Sequence, residues 1–231
     1  MPRVTRTSPP DARARSVFRR LRAEYPDARC SLTFSSPWEL LVATILSAQC
    51  TDDRVNMVTP ELFRRYPTPA DLAGAPQRDV EEAIRSTGFY RNKARSLIGA
   101  ARAILHDHGG EVPRTMDELR RVPGAGRKTA NVVLGNAYGI AEGIAVDTHA
   151  SRLSVRLGLT DTPVPVRAER ELMALLPRRM WTDWTHLLIA HGRAVCTARR
   201  AHCDRCVIAD LCPSAVREPR RSARPPRAAG S

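Results

Sequence analysis

The stretch "RVPGAGRKTANVVL", residues 121–134, places a proline-glycine turn between two helical patterns. With its flanks it predicts a helix, a four-residue turn and a second helix over about 116–138. Gly124 and Gly126 are expected to permit positive φ and to let the backbone approach a bulky ligand. Free N–H groups in such a turn form an anion site, although an ordinary tight helical hairpin is the plainer interpretation.

The lysine behind this turn is unusual for the chain. Of 37 basic residues, 35 are arginine and only Lys93 and Lys128 are lysine. Lys128 falls in the first helical turn, where a cation opposes the helix dipole at a cost of roughly 0.3–1 kcal/mol. Arginine cannot serve as an amine nucleophile, whereas lysine can once it loses its proton. A P-loop is excluded because Arg127 separates Gly126 from Lys128.

A carboxylate follows in "VDTH", residues 146–149. Asp147 lies at a predicted helix start, where an aspartate side chain commonly caps the first turn. The same carboxylate could accept or move protons in a reaction. The two roles are compatible, because a cap fixes the orientation of the carboxylate.

Four cysteines at the end of the chain predict a metal site. Cys196, Cys203, Cys206 and Cys212 lie within a short segment that is rich in arginine. Zinc and a [4Fe–4S] cluster both accept four thiolates, so the residues alone leave both open. Zinc ribbons usually contain two Cys-x2-Cys pairs, and this segment contains one. The neighbouring arginines, Arg193 among them, suggest a metal-held loop that meets phosphate.

The charge of the chain indicates a polyanionic partner. The 231 residues carry a formal net charge of +13, which favours nucleic acid, with a merely arginine-rich surface as the alternative. No apolar run is long enough for a transmembrane helix or a signal core, so we expect a soluble, cytoplasmic protein without membrane contacts. We expect residues 1–14 to be flexible and the basic tail 213–231 to be disordered.

Helix signals recur along the chain and strand signals are nearly absent. Capping patterns begin at Ser36, Thr68 and Thr115. Apolar residues spaced three or four apart follow them. The sequence therefore predicts an all-α protein.

The hairpin, Lys128, Asp147 and the cysteine spacing, together with "LSAQCTD" (46–52) and "HGR" (191–193), resemble the endonuclease III family of DNA glycosylases. The resemblance implies two helical lobes with DNA across the cleft between them. One lobe is a helical barrel of residues 36–140 that contains the helix-hairpin-helix. The other combines residues 15–35 and 141–212 and holds a [4Fe–4S] cluster on the four cysteines.

The resemblance also implies an activity. A monomer would bind double-stranded DNA, flip a damaged nucleotide into the cleft, and remove oxidised pyrimidines as a bifunctional glycosylase and AP lyase. Lys128 would attack C1′ and form an imine that leads to β-elimination. Asp147 would stabilise positive charge at the sugar and move protons. The alternatives are an adenine-type single-function glycosylase and a DNA-binding protein without catalysis.

Further residues of the family pattern would contact DNA. Gln49 matches the residue that fills the gap left by a flipped base, and Phe89 stands where the family often has leucine as a second wedge. Gly124, Gly126 and Arg127 of the hairpin would contact the backbone, as would Arg193. Lys93 is expected to contact a phosphate or to face solvent. His149 and His191 are expected to orient the aspartate loop and to pack near the cluster.

Overall fold

The computed structural model describes residues 4–216. It contains eleven α-helices in this range and no β-strand, which confirms the all-α prediction. The helices are α1 (Pro10–Glu24), α2 (Pro37–Leu46), α3 (Asp52–Arg65), α4 (Pro69–Ala73), α5 (Gln77–Ala83), α6 (Tyr90–His108), α7 (Met116–Leu119), α8 (Arg127–Ala137), α9 (Thr148–Arg156), α10 (Pro165–Leu175) and α11 (Trp181–Ala194). Within the described range, no helix is long and apolar enough to cross a bilayer.

The predicted caps begin the helices that they were expected to begin. Ser36 Oγ accepts a hydrogen bond from Glu39 N at 3.2 Å, and Thr115 Oγ1 accepts one from Glu118 N at 3.3 Å. Thr68 and the third residue after it form a complete reciprocal box. These side chains satisfy N–H groups that a helix start otherwise leaves unpaired.

Buried apolar residues form two separate cores. The first extends from Leu32 to Leu134 and packs α2 to α8 around residues such as Trp38. The second combines α1 with α9 to α11 and the cysteine loop, around the fully buried Trp184. Leu32 packs in the first core, although we expected residues 15–35 to belong with the second lobe.

The N-terminal boundary differs from the prediction. Helix α1 begins at Pro10, and Arg13 and Ala14 are buried, so the expectation of a flexible segment through residue 14 is wrong for residues 10–14. Arg13 donates to the carbonyls of Leu157 and Gly158, at 2.5 and 2.8 Å, and so caps the end of α9. The predicted mobile residues 1–3 and the predicted tail from 217 onwards lie outside the described range.

Helix α8 joins the two cores. It packs against α2 on one side and against α11 on the other. A Cβ added to Gly135 would lie 2.7 Å from Thr182 Oγ1, so this glycine allows α8 and α11 to approach closely. The first turn of α8, which carries Lys128, is therefore positioned at the junction of the lobes.

Candidate active site and four-cysteine loop

The hairpin turn uses its two glycines differently. Gly124 has φ +80°, and a Cβ there would lie 2.9 Å from the Ser96 Cβ, so this position needs glycine. Gly126 has φ −81°, so the expectation of positive φ is wrong for it. Apart from Gly126 itself and its chain neighbours, no residue has an atom within 4 Å of where a Cβ would be, and Gly126 begins α8 without a side-chain cap. Its backbone is thus open to close approach from outside.

Four of the predicted site residues line one cavity between the lobes, Arg193 among them. Lys128 from the start of α8, Asp147 before α9, and Gln49 after α2 all border a space of about 270 Å³. Lys128 is exposed and Asp147 is half-buried. The cavity thus combines an amine and a carboxylate at a place that solvent can reach.

Asp147 caps α9, as expected. Its Oδ1 accepts a hydrogen bond from Ala150 N at 2.7 Å. This bond fixes the direction of the carboxylate relative to the helix axis. The cap therefore orients the group at the cavity wall.

The cavity also contains a histidine that the sequence did not single out. His186 Nε2 lies 2.8 Å from Asn136 Oδ1, and the Asn136 Nδ2 donates to the Val132 carbonyl. Asn136 Oδ1 is therefore the acceptor, and His186 carries its proton on Nε2. Burial lowers the pKa of His186, so it stays neutral near pH 7.

Arg127 forms an ion pair inside the protein, so its charge is not available to DNA alone. Its Nε lies 2.7 Å from Glu169 Oε2, and the Glu169 side chain is only 6% exposed. The other Glu169 oxygen accepts from Asn131 Nδ2 at 2.8 Å, so this carboxylate holds two residues of α8. A Cβ on Gly143 would collide with both Glu169 and Asn131. The sequence analysis did not identify Glu169. The pattern that indicates its burial is its place on the helix face that carries the buried residues Ala168 and Leu172.

Gln49 and Phe89 share an unusual backbone conformation. Their φ angles are +51° and +47°, and within residues 4–216 they are the only non-glycine residues with positive φ. Such a conformation costs of order 1–3 kcal/mol and is concentrated at functional positions. Both side chains are exposed, and Phe89 is 63% exposed. The two predicted wedge residues thus occupy strained, outward-facing turns.

The prediction for Lys93 is wrong. This lysine is only 5% exposed, and its Nζ donates to the Thr87 carbonyl at 2.8 Å. A side chain so buried cannot contact a phosphate on the protein surface. The sequence indicated only that it follows the Phe89 loop.

Arg193 lies at the rim of the cavity and is exposed. Its guanidinium contacts Asp52 Oδ2 at 2.9 Å and Ser31 Oγ at 3.2 Å. Asp52 begins α3 in the first core, whereas Arg193 lies in α11 of the second. The arginine thus bridges the two lobes beside the cavity.

The four cysteines line one small space of about 30 Å³. Arg156 Nη1 donates to Cys196 Sγ at 3.1 Å, and His191 Nε2 lies 3.4 Å from Cys206 Sγ, so His191 packs at this site as expected. Burial raises the pKa of Cys206 to about 11. A thiolate there therefore needs a bound cation to offset its desolvation.

Comparisons with known proteins agree with this geometry. The family model of the HhH-GPD superfamily of base excision DNA repair proteins matches residues 42–178. The endonuclease III of a Synechocystis species is 54% identical over 203 residues, covering 88% of this chain and 93% of that protein. The endonuclease III of Escherichia coli K12 is 41% identical over 201 residues, covering 87% and 95%.

Solved structures show the same similarity. A trapped endonuclease III–DNA covalent intermediate superposes with a TM-score of 0.83 at 42% identity, over 89% of this chain and 96% of that one. A non-covalent endonuclease III–DNA complex gives 0.82 at 42% identity, with the same coverage. A thermostable thymine-DNA glycosylase gives 0.80 at 21% identity, which shows a shared fold.

Proposed function

Because the chain belongs to the endonuclease III family, within the HhH-GPD superfamily of base excision repair proteins, we propose how its residues carry out DNA glycosylase and AP lyase chemistry. The substrate is an oxidised pyrimidine in duplex DNA, and the chain acts as a monomer. The observation that carries the proposal is the shared cavity of Lys128 and Asp147. It supplies a nucleophile and a carboxylate at one accessible place between two lobes.

Lys128 performs the covalent step. Its neutral amine forms a bond to C1′ of the extruded nucleotide, the bond from C1′ to the base breaks, and the base leaves with a proton. Nitrogen then loses a proton and forms a double bond to C1′ as the C1′–O4′ bond breaks and O4′ takes a proton, which opens the sugar ring. The resulting protonated imine makes the C2′ hydrogen acidic. Removal of that proton expels the 3′ phosphate and cuts the strand. Water then hydrolyses the imine and restores the lysine.

Asp147 assists at the sugar. As the bond to the base breaks, positive charge develops at C1′, and a nearby carboxylate stabilises it electrostatically. The same group can accept a proton from the amine or transfer one at C2′. Its hydrogen bond to Ala150 N supports this role by holding the carboxylate in one orientation.

The remaining site residues bind and distort DNA. The net charge of +13 attracts the duplex over the whole surface. Gly124 and Gly126 bring the hairpin backbone to the phosphates, and Arg127 and Arg193 add charge beside them. Gln49 and Phe89 enter the duplex where the nucleotide leaves, which is compatible with their exposed, positive-φ turns.

We also propose that the cysteine loop binds a [4Fe–4S] cluster rather than zinc. All four cysteines face one space, yet no three of the Cys, His, Asp or Glu side chains in residues 4–216 are arranged to hold a single metal ion. Zinc–sulfur bonds of about 2.3 Å would draw the sulfurs close together, whereas a cluster spaces its four ligands more widely. When bound, the group would act as a structural brace for the arginine-rich loop 196–212.

The test is the charge-conserving variant Lys128→Arg on a duplex that carries one thymine glycol. We expect strand cleavage to fall by at least about 10³-fold, since the covalent route is lost. DNA affinity should change little, because the cation remains. Normal cleavage by this variant would favour a DNA-binding protein whose apparent activity has another source. Base release without strand cleavage by the wild type would favour a single-function glycosylase.

A further inference from the structure

We propose that Lys93 is a positioning residue that fixes the Phe89 turn in the conformation that enters DNA. The inference rests on the proposed function, because it concerns how the duplex is opened and not how the sugar reacts. It starts from a buried cation that the cavity chemistry does not use. Lys93 lies in the first turns of α6, four residues after Phe89.

Lys93 contacts both sides of the turn. Its backbone N–H donates to the Phe89 carbonyl at 3.0 Å, and its Nζ donates to the Thr87 carbonyl at 2.8 Å. The backbone and side chain of one residue therefore enclose Gly88 and Phe89. A bond at each end restricts the rotation of the peptide units between them.

The turn needs such a restraint. Gly88 and Phe89 have φ angles of +70° and +47°, so two successive residues have positive φ, and Phe89 adopts the left-handed helical conformation. Phe89 begins α6 without a side-chain cap, and its ring is 63% exposed. Since its mostly exposed ring has little packing to hold it, the backbone contacts must set its direction.

A lysine suits this position better than an arginine. The long apolar stem of Lys93 is buried and brings one compact ammonium to one carbonyl. A guanidinium is larger, planar, and has several donors that would need partners inside the protein. This explains the second lysine of a chain in which 35 of 37 basic residues are arginine.

Lys93 also lies near the other positive-φ turn. Burial lowers the pKa of Lys93, and the neighbouring Cys50 thiol opposes that shift. Cys50 directly follows Gln49, which has φ +51°. The electrostatic interaction of Lys93 thus reaches the Gln49 segment, whereas its hydrogen bond is to the Phe89 side.

This placement gives an expectation specific to duplex opening. Without the Nζ contact, the turn relaxes and the Phe89 ring samples more directions, so inserting it into a duplex costs more entropy. An abasic sugar in single-stranded DNA needs no extrusion. Its reaction with Lys128 should therefore not depend on Lys93.

The experiment compares Lys93→Met, Phe89→Ala and the double variant in single-turnover assays. The substrates are a thymine glycol duplex and a single-stranded abasic oligonucleotide. We expect Lys93→Met to slow excision from the duplex by about 10- to 100-fold and to leave single-stranded cleavage unchanged. The double variant should be no slower than Phe89→Ala, because the two residues act as one unit.

Arg102→Met is the matched control. Arg102 lies on the same helix, is exposed, and donates its Nε to the Ala73 carbonyl at 3.1 Å. The Arg102→Met variant therefore loses a side-chain hydrogen bond to a carbonyl away from the Phe89 turn. The rates of duplex excision and of single-stranded cleavage should both stay unchanged. Thermal unfolding of each variant shows whether it is folded.

The proposal is overturned if the rate reduction of the double variant equals the product of the reductions in Lys93→Met and Phe89→Ala. It is also overturned if Lys93→Met lowers the rates on both substrates equally. If Lys93→Met does not fold, Lys93→Gln keeps a polar group at the buried site, but its nitrogen lies one bond short of the Lys93 Nζ position. It should therefore lose the contact to Thr87 and lose duplex activity in the same way. Failure of both variants to fold would make Lys93 a folding residue and also overturn it. Absence of cleavage by the wild type would instead refute the proposed function.

Discussion

Helices α6 and α8 begin alike. Each follows a turn with a positive-φ glycine, neither N-cap offers a side-chain hydrogen bond, and neither first turn contains an acidic residue. Each also carries one of the two lysines near its start. Helices α2, α3, α4 and α7, by contrast, begin with a serine or threonine cap and have acidic first turns.

The two lysines nevertheless have opposite surroundings. Lys128 is exposed at the cavity, whereas Lys93 is buried against a carbonyl. With the proposed roles, we expect arginine to be unsuitable at both positions, for chemical reasons at the first and for steric reasons at the second. Helix α10 also begins without a side-chain cap or an acidic first turn, so these absences alone do not mark a special position. The lysine and its tertiary contacts distinguish the starts of α6 and α8.

The start of α9 differs from the starts of α6 and α8, because its capping carboxylate, Asp147, also faces the cavity. We expect the largest effect of a substitution here. Asp147→Asn should keep the cap, since asparagine caps as well as aspartate, and should remove the charge. We expect single-turnover base excision to fall by about 10²- to 10⁴-fold with little change in thermal stability. Asp147→Ala should lose about 0.5–2 kcal/mol of stability in addition. An active Asp147→Asn would show that the carboxylate only caps.

Exchanging each lysine for arginine tests the comparison through stability. Lys93→Arg should lower the free energy of unfolding by about 1–3 kcal/mol, because the larger group overpacks its site and buries unpaired donors. Lys128→Arg should change it by less than about 0.5 kcal/mol, as is usual for an exposed residue. Thermal unfolding of both variants provides the measurement. Equal small shifts would contradict the distinction between the two sites.

The contact that holds the first turn of α8 can be tested at Glu169. Glu169→Gln should reduce stability by about 1–2 kcal/mol, less than for a fully buried pair, because the Arg127 side chain is 37% exposed. Urea unfolding measures the change. Glu171→Gln on the same helix is the control, since Glu171 forms no ion pair within residues 4–216. A similar loss in both variants would remove the argument for a specific clamp on α8.

The smallest effect concerns pH. Burial lowers the pKa of His186, so the unfolded chain binds this proton at a higher pH than the folded protein does. Its contribution to stability is therefore complete above about pH 6.5 and is lost as the pH falls below that value. His186→Gln, which keeps a donor for Asn136, should show a shallower fall in unfolding free energy between about pH 7.5 and 5. Some slope should remain, because burial also lowers the pKa of His149.

Local features of the fold could be predicted from the sequence. The caps at Ser36, Thr68 and Thr115 and the glycine turn of the hairpin each depend on a few adjacent residues, and the structure contains them. The presence of Asp147 and Lys128 at helix starts follows from the same rules. Their placement at one cavity came from the family resemblance, since spacing along the chain does not give distance across a cleft.

Contacts between distant segments could not be predicted. The burial of Lys93 depends on the Thr87 carbonyl, which accepts a hydrogen bond from its ammonium. The burial of Glu169 depends on Arg127, which lies in the other lobe. Arg13 was expected to lie in a flexible N-terminus, yet its donors bind the carbonyls at the end of α9. Glu169 and Arg13 are buried because partners far along the chain satisfy them, whereas the partner of Lys93 is the Thr87 carbonyl of the preceding turn.

The most direct measurement of the central claim is borohydride trapping with the wild type and with Lys128→Ala. The substrates are a thymine glycol duplex and an abasic duplex. We expect a covalent protein–DNA adduct for the wild type on both duplexes and none for Lys128→Ala on either. An adduct of equal yield with Lys128→Ala, or tight binding by the wild type without any adduct, would contradict the assignment of Lys128 as the nucleophile.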